Sequence, residues 1–265
     1  MELRQRALDA FSLDNPDEKV AAVLAIWRDA ATAPLDTEAY FEGPLLPGRP
    51  ALPSLVQPQE VPRRSPFTPQ GHAALVHSIT HIEFNAINLA LDAVWRFTGM
   101  PAAFYQDWLR VAFEEANHFT YLRQHLREHG FDYGDFSAHD GLWTMCSATR
   151  HDVAARMALV PRTLEARGLD ATPIIQEKLR KVGTPAAIAA NSILDLILRE
   201  EVGHVAIGNH WYRWLCAHNG HDPVAYYQEV SEQLGGPKLK PPFNIAARRL
   251  AGFTDAEINA LPQSA

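Results

Sequence analysis

Two pairs of residues in this sequence place a carboxylate and an imidazole three positions apart. Glu115 and His118 form the first pair, in the stretch FEEANHF, and Glu201 and His204 form the second, in LREEVGHV. Residues three apart on a helix lie on the same face, so each pair can bind the same metal ion or pair of ions. A single Glu-x-x-His arises often by chance, whereas two of them on separate helices indicate a shared metal site.

Both pairs, and one further glutamate, lie on helical stripes that are otherwise apolar. The stripe that contains Glu83 also contains Val76, Ile79, Ala86, Ala90, Ala93 and Phe97. Burying an unpaired carboxylate is costly, so inward carboxylates need a positive partner. Too few Lys and Arg residues lie on these stripes to supply it. Two iron or manganese ions would suit carboxylate and imidazole ligands; a buried salt-bridge network is the alternative interpretation.

Di-iron carboxylate bundles take one Glu from each of two helices and a Glu-x-x-His from each of the other two. Such a pattern requires a lone glutamate upstream of each motif. Glu83 precedes Glu115 by 32 positions, and Glu165 precedes Glu201 by 36. The similar spacings are what two helix pairs would give if they placed their ligands at one level. Asp152 is the alternative to Glu165 as the fourth acid.

Prolines and glycines divide the centre of the chain into long helical stretches. They predict helices over about 68–99, 101–130, 140–168 and 184–220, with a short helix over 172–183 between the last two. Helices of about 28 residues are roughly 42 Å long, and four of them favour a helical bundle. The third helix then has Pro161 as a kink and Glu165 near its end, although the other predicted acids lie near mid-helix.

The two ends of the chain have a different character from the centre. Short helices separated at Asp14-Asn15-Pro16 are followed by a proline-rich arm over 34–68, interpreted as a packed strap. A tail with a helix near 223–234 and another after Thr254 closes the sequence. We therefore predict an all-α protein in three parts: an N-terminal part over 1–67, a four-helix bundle over 68–220 and a helical tail over 221–265.

Several stretches resemble proteins of the ferritin-like di-iron carboxylate superfamily, and within it a bacterial ferritin-like family of unknown function. They are HIEFNAINLALDAVWRF, FEEANHF, PRTLEARGLD and LREEVGHVAIGNHWY. The resemblance covers about residues 65–220 and implies a ferritin-like four-helix bundle with two metal ions, iron or else manganese. The ligands that it implies are Glu83, Glu115, His118, Glu165, Glu201 and His204.

Three functions fit such a site. The first is an oxidoreductase of the hydroxylase or oxygenase type, which would activate dioxygen and oxidise a small organic substrate with electrons from a separate donor. The second is a ferroxidase or peroxide scavenger of the ferritin or rubrerythrin kind, although no Cys-x-x-Cys is present for a rubredoxin centre. The third is a metal-stabilised binding protein without catalysis. A homodimer is compatible with each of them.

Composition bears on the kinds of partner and on the cellular compartment that we expect for this protein. The net charge of −7 argues against a general nucleic-acid binder, although contact with tRNA stays open. Cys146 and Cys216 do not indicate a disulfide framework. The charged N-terminus lacks the apolar core of a signal peptide, and no run of about 18 apolar residues predicts a membrane span. These features favour a cytoplasmic protein.

Other polar residues near the predicted ligand helices have two interpretations. His77, His81 and His151 suit packing or surface positions better than contact with metal ligands, and Tyr121, three residues after His118, suits packing better than redox chemistry. A basic group in the tail suits a solvated surface, with contact to a substrate or RNA phosphate as the alternative. It consists of Lys238, Lys240, Arg248 and Arg249.

Overall fold

A computed structural model describes residues 1–262, and within them the secondary structure is helical apart from one isolated bridge between Leu55 and Ala138. The all-α prediction is therefore confirmed. The helices are α1 (Leu3–Ser12), α2 (Pro16–Asp29), α3 (Pro69–Arg96), α4 (Ala102–Glu128), α5 (Gly141–Ala148), α6 (Val153–Leu159), α7 (Ala166–Val182), α8 (Pro185–Asn219), α9 (Pro223–Gln233), α10 (Ile245–Leu250) and α11 (Asp255–Asn259). In the described part of the chain, no helix combines the length and the apolar character that crossing a membrane requires.

The chain divides into two compact units, the first of which contains residues 1–143 and 182–193. Its centre is the antiparallel pair α3 and α4. Thr68 begins α3 by accepting the Gly71 N–H, as the sequence predicts. Phe84 and Phe119 meet near mid-helix with ring centroids 5.4 Å apart. This packing fixes which residues of α3 and α4 face each other.

The proline-rich arm packs against this pair as a strap. Arg4 of α1 is fully buried and donates to the carbonyl oxygens of Val94 and Trp95 near the end of α3. The same guanidinium donates to the carbonyl oxygens of Asp36 and Ala39 in the arm. The arm has almost no regular structure, so its backbone carbonyl groups need partners from elsewhere. Arg4 supplies some of them and thereby connects α1, the arm and α3.

Lys19 is a second buried basic side chain that connects separate segments of the first unit. Its ammonium group donates to the carbonyl oxygens of Phe11 and Gly48 and to Oδ1 of Asn88. Replacing Lys19 by Met would leave three acceptors without a donor, so we expect a loss of about 3 kcal/mol in the free energy of unfolding. Urea titration of the purified variant checks this. Lys181→Met, at a side chain that is 67% exposed, is the control and should change stability by less than about 0.5 kcal/mol.

The second unit contains residues 144–181 and 194–265. Its α7 and the second part of α8 run antiparallel, since Gln176 donates to Asp195 at 2.5 Å and Arg162 to Asn209 at 2.6 Å. Helices α10 and α11 close one side through a cluster of apolar residues. Its buried members are Ala166, Leu169, Val205, Ala247, Ala251, Phe253 and Ile258. The three-part division of the chain stays a prediction.

The predicted third helix is wrong in its boundaries. Helix α5 ends at Ala148, and a new helical run begins at Val153 and continues to Val182. Residues Val160–Glu165 of this run form a π-helical turn, so Pro161 changes the helix type without ending the run. Gly168 does not break it, and Pro173 lies inside α7. The separate helix predicted over 172–183 is therefore the end of this run, and Glu165 lies within it.

Candidate metal centre

Three of the predicted ligands lie together in the first unit. Glu83 of α3 and Glu115 and His118 of α4 offer ligand atoms that all lie within 4.8 Å of one another. Nδ1 of His118 is 3.2 Å from a carboxylate oxygen of Glu115 and 3.4 Å from one of Glu83. All three residues are buried. Two carboxylates and an imidazole that converge in the buried interior are a donor set that can hold a metal ion.

The surroundings of Glu83 and His118 raise the pKa of both groups. Burial, followed by the negative charge of Glu115, raises the pKa of Glu83 to about 8. Burial alone would lower the pKa of His118, but its hydrogen bonds to Glu115 and Glu83 raise it well above the usual range. The two buried carboxylates thus repel each other and attract positive charge, whether protons or a metal ion supply it.

The second unit places Glu165 in the π-helical turn. Pro161 has no N–H to donate, and the Ala166 N–H reaches back five residues to its carbonyl oxygen. The Thr163 hydroxyl donates to the Ala158 carbonyl oxygen at 2.8 Å, which satisfies another acceptor in the widened turn. Glu165 ends this turn and is only 8% exposed. π-helical turns are often found at functional sites.

Helix α8 approaches this turn closely at Gly208. A Cβ atom at Gly208 would lie 2.5 Å from Cβ of Pro161, so only glycine permits this contact. The two helices run antiparallel, so a step of four residues forward from Pro161 corresponds to a step of four residues back from Gly208. Glu165 therefore lies at the level of His204. Ala166 and Val205, which follow Glu165 and His204 in the sequence, belong to the same apolar cluster, so the two segments are adjacent near this level.

The second Glu-x-x-His pair lies on the same part of α8. Nδ1 of His204 is 3.4 Å from a carboxylate oxygen of Glu201. His204 is fully buried, and the Glu201 side chain is 12% exposed. The second unit therefore brings Glu165, Glu201 and His204 onto facing segments, and it repeats the glutamate, glutamate and histidine composition of the first set.

Asp152, the alternative to Glu165 as the fourth acid, is the N-terminal cap of α6. It is exposed at the start of α6, where one of its oxygens accepts the N–H groups of Ala154 and Ala155. Its other oxygen accepts from the Tyr226 hydroxyl at 3.1 Å. Both oxygens of Asp152 thus accept hydrogen bonds in a helix cap at the surface. The choice of Glu165 as the fourth acid stays a prediction.

Tyr121 does not share the buried ligand face, because its side chain is 41% exposed while neighbouring Leu122 is buried. His81 bonds through both ring nitrogens, to the Tyr133 hydroxyl and the Asn85 amide. His77 accepts the Gly134 N–H through Nε2. These histidines hold the loop after α4, which agrees with the packing interpretation.

A cavity of about 410 Å³ opens in the second unit. Its walls come from the π-helical turn, α9, the loop over 236–239, α10 and the end of the tail. They include Arg162, Tyr227, Lys238, Leu239, Phe253 and Leu261. Sequence reasoning missed this cavity because its walls come from separated segments. The one partial signal was the basic group of the tail, of which Lys238 and Arg248 line it.

Comparison with known proteins gives a family without an assigned activity. The family described as "Protein of unknown function (DUF455)" matches residues 12–259. A protein of Haemophilus influenzae described as "Uncharacterized protein" is 51% identical over 217 residues, which cover 79% of this chain and 74% of that protein. No solved structure matches the chain.

Proposed function

This chain belongs to the DUF455 family of proteins of unknown function, and we propose that it is an oxidoreductase. It would hold two metal ions and use them to activate dioxygen. The metal is iron in this proposal, and manganese is the alternative. The proposed ligands are Glu83, Glu115, His118, Glu165, Glu201 and His204. A ferritin-like arrangement of the ligand helices is part of the proposal.

The observation that carries the proposal is the convergence of the buried side chains of Glu83, Glu115 and His118. Charge supports extending this set to two ions, since four carboxylates would balance two divalent cations. On metal binding, the protons held by Glu83 and His118 would leave, because carboxylate and imidazole ligands bind in their deprotonated forms. When bound in reduced form, an iron pair would supply electrons for the reduction of dioxygen.

The cavity in the second unit favours oxidation of an organic substrate over iron storage. Its volume lies within the range of small-molecule sites, and its walls combine aromatic and aliphatic side chains with a few charged groups. Arg162 lines it and precedes Glu165 by three residues in the π-helical turn. The proposed partners are accordingly a small organic substrate and a separate electron donor.

Titration of the metal-free protein with iron(II) in aerated buffer tests this function. We expect dioxygen uptake to stop after about two iron ions per chain, because each pair is oxidised once without a reductant. Reducing the oxidised protein again without dioxygen, removing the reductant and then finding a second round of uptake of equal size would support turnover at the site. Continued uptake with mineral formation at tens of ions per chain would favour a ferroxidase. Binding of iron without any uptake would favour a metal-stabilised binding protein.

A further inference from the structure

Three basic side chains line the cavity of the second unit, and they share its walls with two carboxylates. The basic residues are Arg162, Lys238 and Arg248, and the acidic residues are Glu232 and Glu257. Lys238 and Glu232 are exposed. Arg162, Arg248 and Glu257 are buried, so the charge inside the cavity depends on how these three groups are paired.

The carboxylates that contact these arginines do not balance their charge. Glu257 pairs through its two oxygens with Arg162 at 2.9 Å and with Arg213 at 2.8 Å. Burial alone would raise the pKa of Glu257, but the positive charge of Arg162 lowers it below the usual range, so Glu257 stays ionised near pH 7. Asp170 accepts from Arg248 through both of its oxygens, at 3.1 and 2.6 Å. Three arginines thus share two carboxylates, which leaves one positive charge in excess among these groups.

Each arginine of the cavity wall also keeps an N–H group in reserve. Arg162 donates through Nη1 to Asn209 and through Nη2 to Glu257, which leaves its Nε–H without an acceptor among residues 1–262. Arg248 uses Nε and Nη2, and its Nη1 likewise has no acceptor within that range. Both guanidinium groups pack against the ring of Phe253, 4.7 and 5.2 Å from its centroid. The cavity thus combines unused cationic donors with an aromatic wall.

The remaining walls suit an apolar or aromatic body. Leu239 and Leu261 supply aliphatic contacts, and Tyr227 supplies a second aromatic ring. The Tyr227 hydroxyl lies 3.0 Å from the hydroxyl of Thr163, within the π-helical turn that ends at Glu165. A ligand in the cavity would therefore lie against the turn that contains a proposed metal ligand.

We propose that this cavity binds a small carboxylic acid with an apolar or aromatic body, as the substrate of the protein. The carboxylate would accept from an unused N–H group of Arg162 or of Arg248 and balance the excess positive charge. The exposed ammonium group of Lys238 would attract it from solution. Arginine suits this role because its planar guanidinium matches the two oxygens of a carboxylate. That the acid is oxidised rests on the proposed function, whereas its binding does not.

Calorimetric titration of the metal-free protein with three matched probes tests the site in the full chain. The probes are phenylbutyrate, its neutral amide phenylbutyramide and the cationic phenylbutylamine, which share an apolar body and differ in charge. We expect the acid to bind at least about 10-fold more tightly than the amide, because a hydrogen bond between charged groups is stronger than one between neutral groups. The amine should bind most weakly, since it adds positive charge to a site that already has an excess.

Variants of the cavity wall locate the binding. Lys238→Gln should weaken the binding of phenylbutyrate about 3- to 5-fold, since an exposed ion pair contributes little, and should leave the binding of the amide unchanged. Lys240→Gln, at an exposed residue two positions further along the same loop, is the matched control and should change neither. Arg162→Lys keeps the charge but loses the planar donor, and should weaken the binding of the acid more than that of the amide. Ala260→Trp places a large side chain in the wall and should remove the binding of every probe.

Equal affinity of wild type for the acid and the amide would overturn the proposal, and so would the absence of binding by any probe. Equal losses in Lys238→Gln and Lys240→Gln, or binding of the acid that survives Ala260→Trp, would place the acid elsewhere and overturn it as well. Both lysine variants change exposed side chains and are compatible with folding. Selective binding of the acid by a protein that fails to take up dioxygen with iron(II) would support the acid site and contradict the proposed oxidation. Dioxygen uptake without selective binding would contradict the acid site alone.

Discussion

Replacing Glu115 by Gln should remove the stabilisation that iron(II) or Mn²⁺ gives this protein. A ligand present at 100 times its Kd stabilises the folded state by about 2.7 kcal/mol, and the variant should lose most of this gain. The metal-free variant should be no less stable than metal-free wild type, because the substitution removes a buried negative charge next to Glu83. Thermal unfolding with and without added metal measures both effects.

The stability of Glu115→Gln with metal and without metal distinguishes a metal ligand from an ordinary buried carboxylate. If Glu115 served only a salt-bridge network, Glu115→Gln would destabilise the metal-free protein, and added metal would stabilise wild type and variant alike. Glu128→Gln, at an exposed position near the end of the same helix, is the matched control. It should keep the full response to metal, and elemental analysis should find wild-type metal content in it.

Replacing Arg162 by Leu should cost about 3–5 kcal/mol in the free energy of unfolding of the second unit, because it breaks a buried ion pair. The guanidinium donates to Asn209 at 2.6 Å and pairs with Glu257 of α11 at 2.9 Å, and the side chains of Arg162 and Glu257 are 6% and 4% exposed. It also packs against the ring of Phe253, 4.7 Å from the centroid. Urea unfolding followed by hydrogen exchange of residues 245–262 measures the loss and locates it.

The double variant Arg162→Leu, Glu257→Leu tests the cause. If the cost comes from leaving Glu257 short of a partner, removing both charges should recover part of the stability. If the double variant is as unstable as the sum of both single variants, packing of the arginine is the main contribution. Arg249→Leu breaks an exposed pair with Asp255 in the same segment and should cost no more than about 1 kcal/mol.

Local signals in the sequence located most of the helices. Thr68-Pro69 and Asp222-Pro223 begin α3 and α9, because a capping side chain followed by proline suits the first helical turn. The helical run over 153–182 could not be read in the same way. Pro161 and Pro173 indicate breaks when only local geometry counts, but tertiary packing against α8 keeps the run continuous.

The buried carboxylates of the first unit were also predictable from the sequence. Glu83 and Glu115 interrupt apolar stripes, and the structure buries both of them. The hydrogen bond between the rings of His72 and His125 was not predictable, since the two residues lie far apart in the sequence and meet only because α3 and α4 are antiparallel. The role of Asp152 as a cap likewise depends on where α6 begins.

The widened turn at Val160–Glu165 also sets the direction in which Glu165 points. A π-helical turn holds one residue more than the α-helical turn it replaces, and one residue corresponds to about 100° of rotation around a helix. The turn therefore changes by about 100° the direction in which the side chains of α7 point relative to those of α6. Deleting one residue here would restore a regular helix and keep its backbone hydrogen bonds. It would also rotate one side of the run relative to the other, so that either Glu165 or the residues of α6 would face the wrong way.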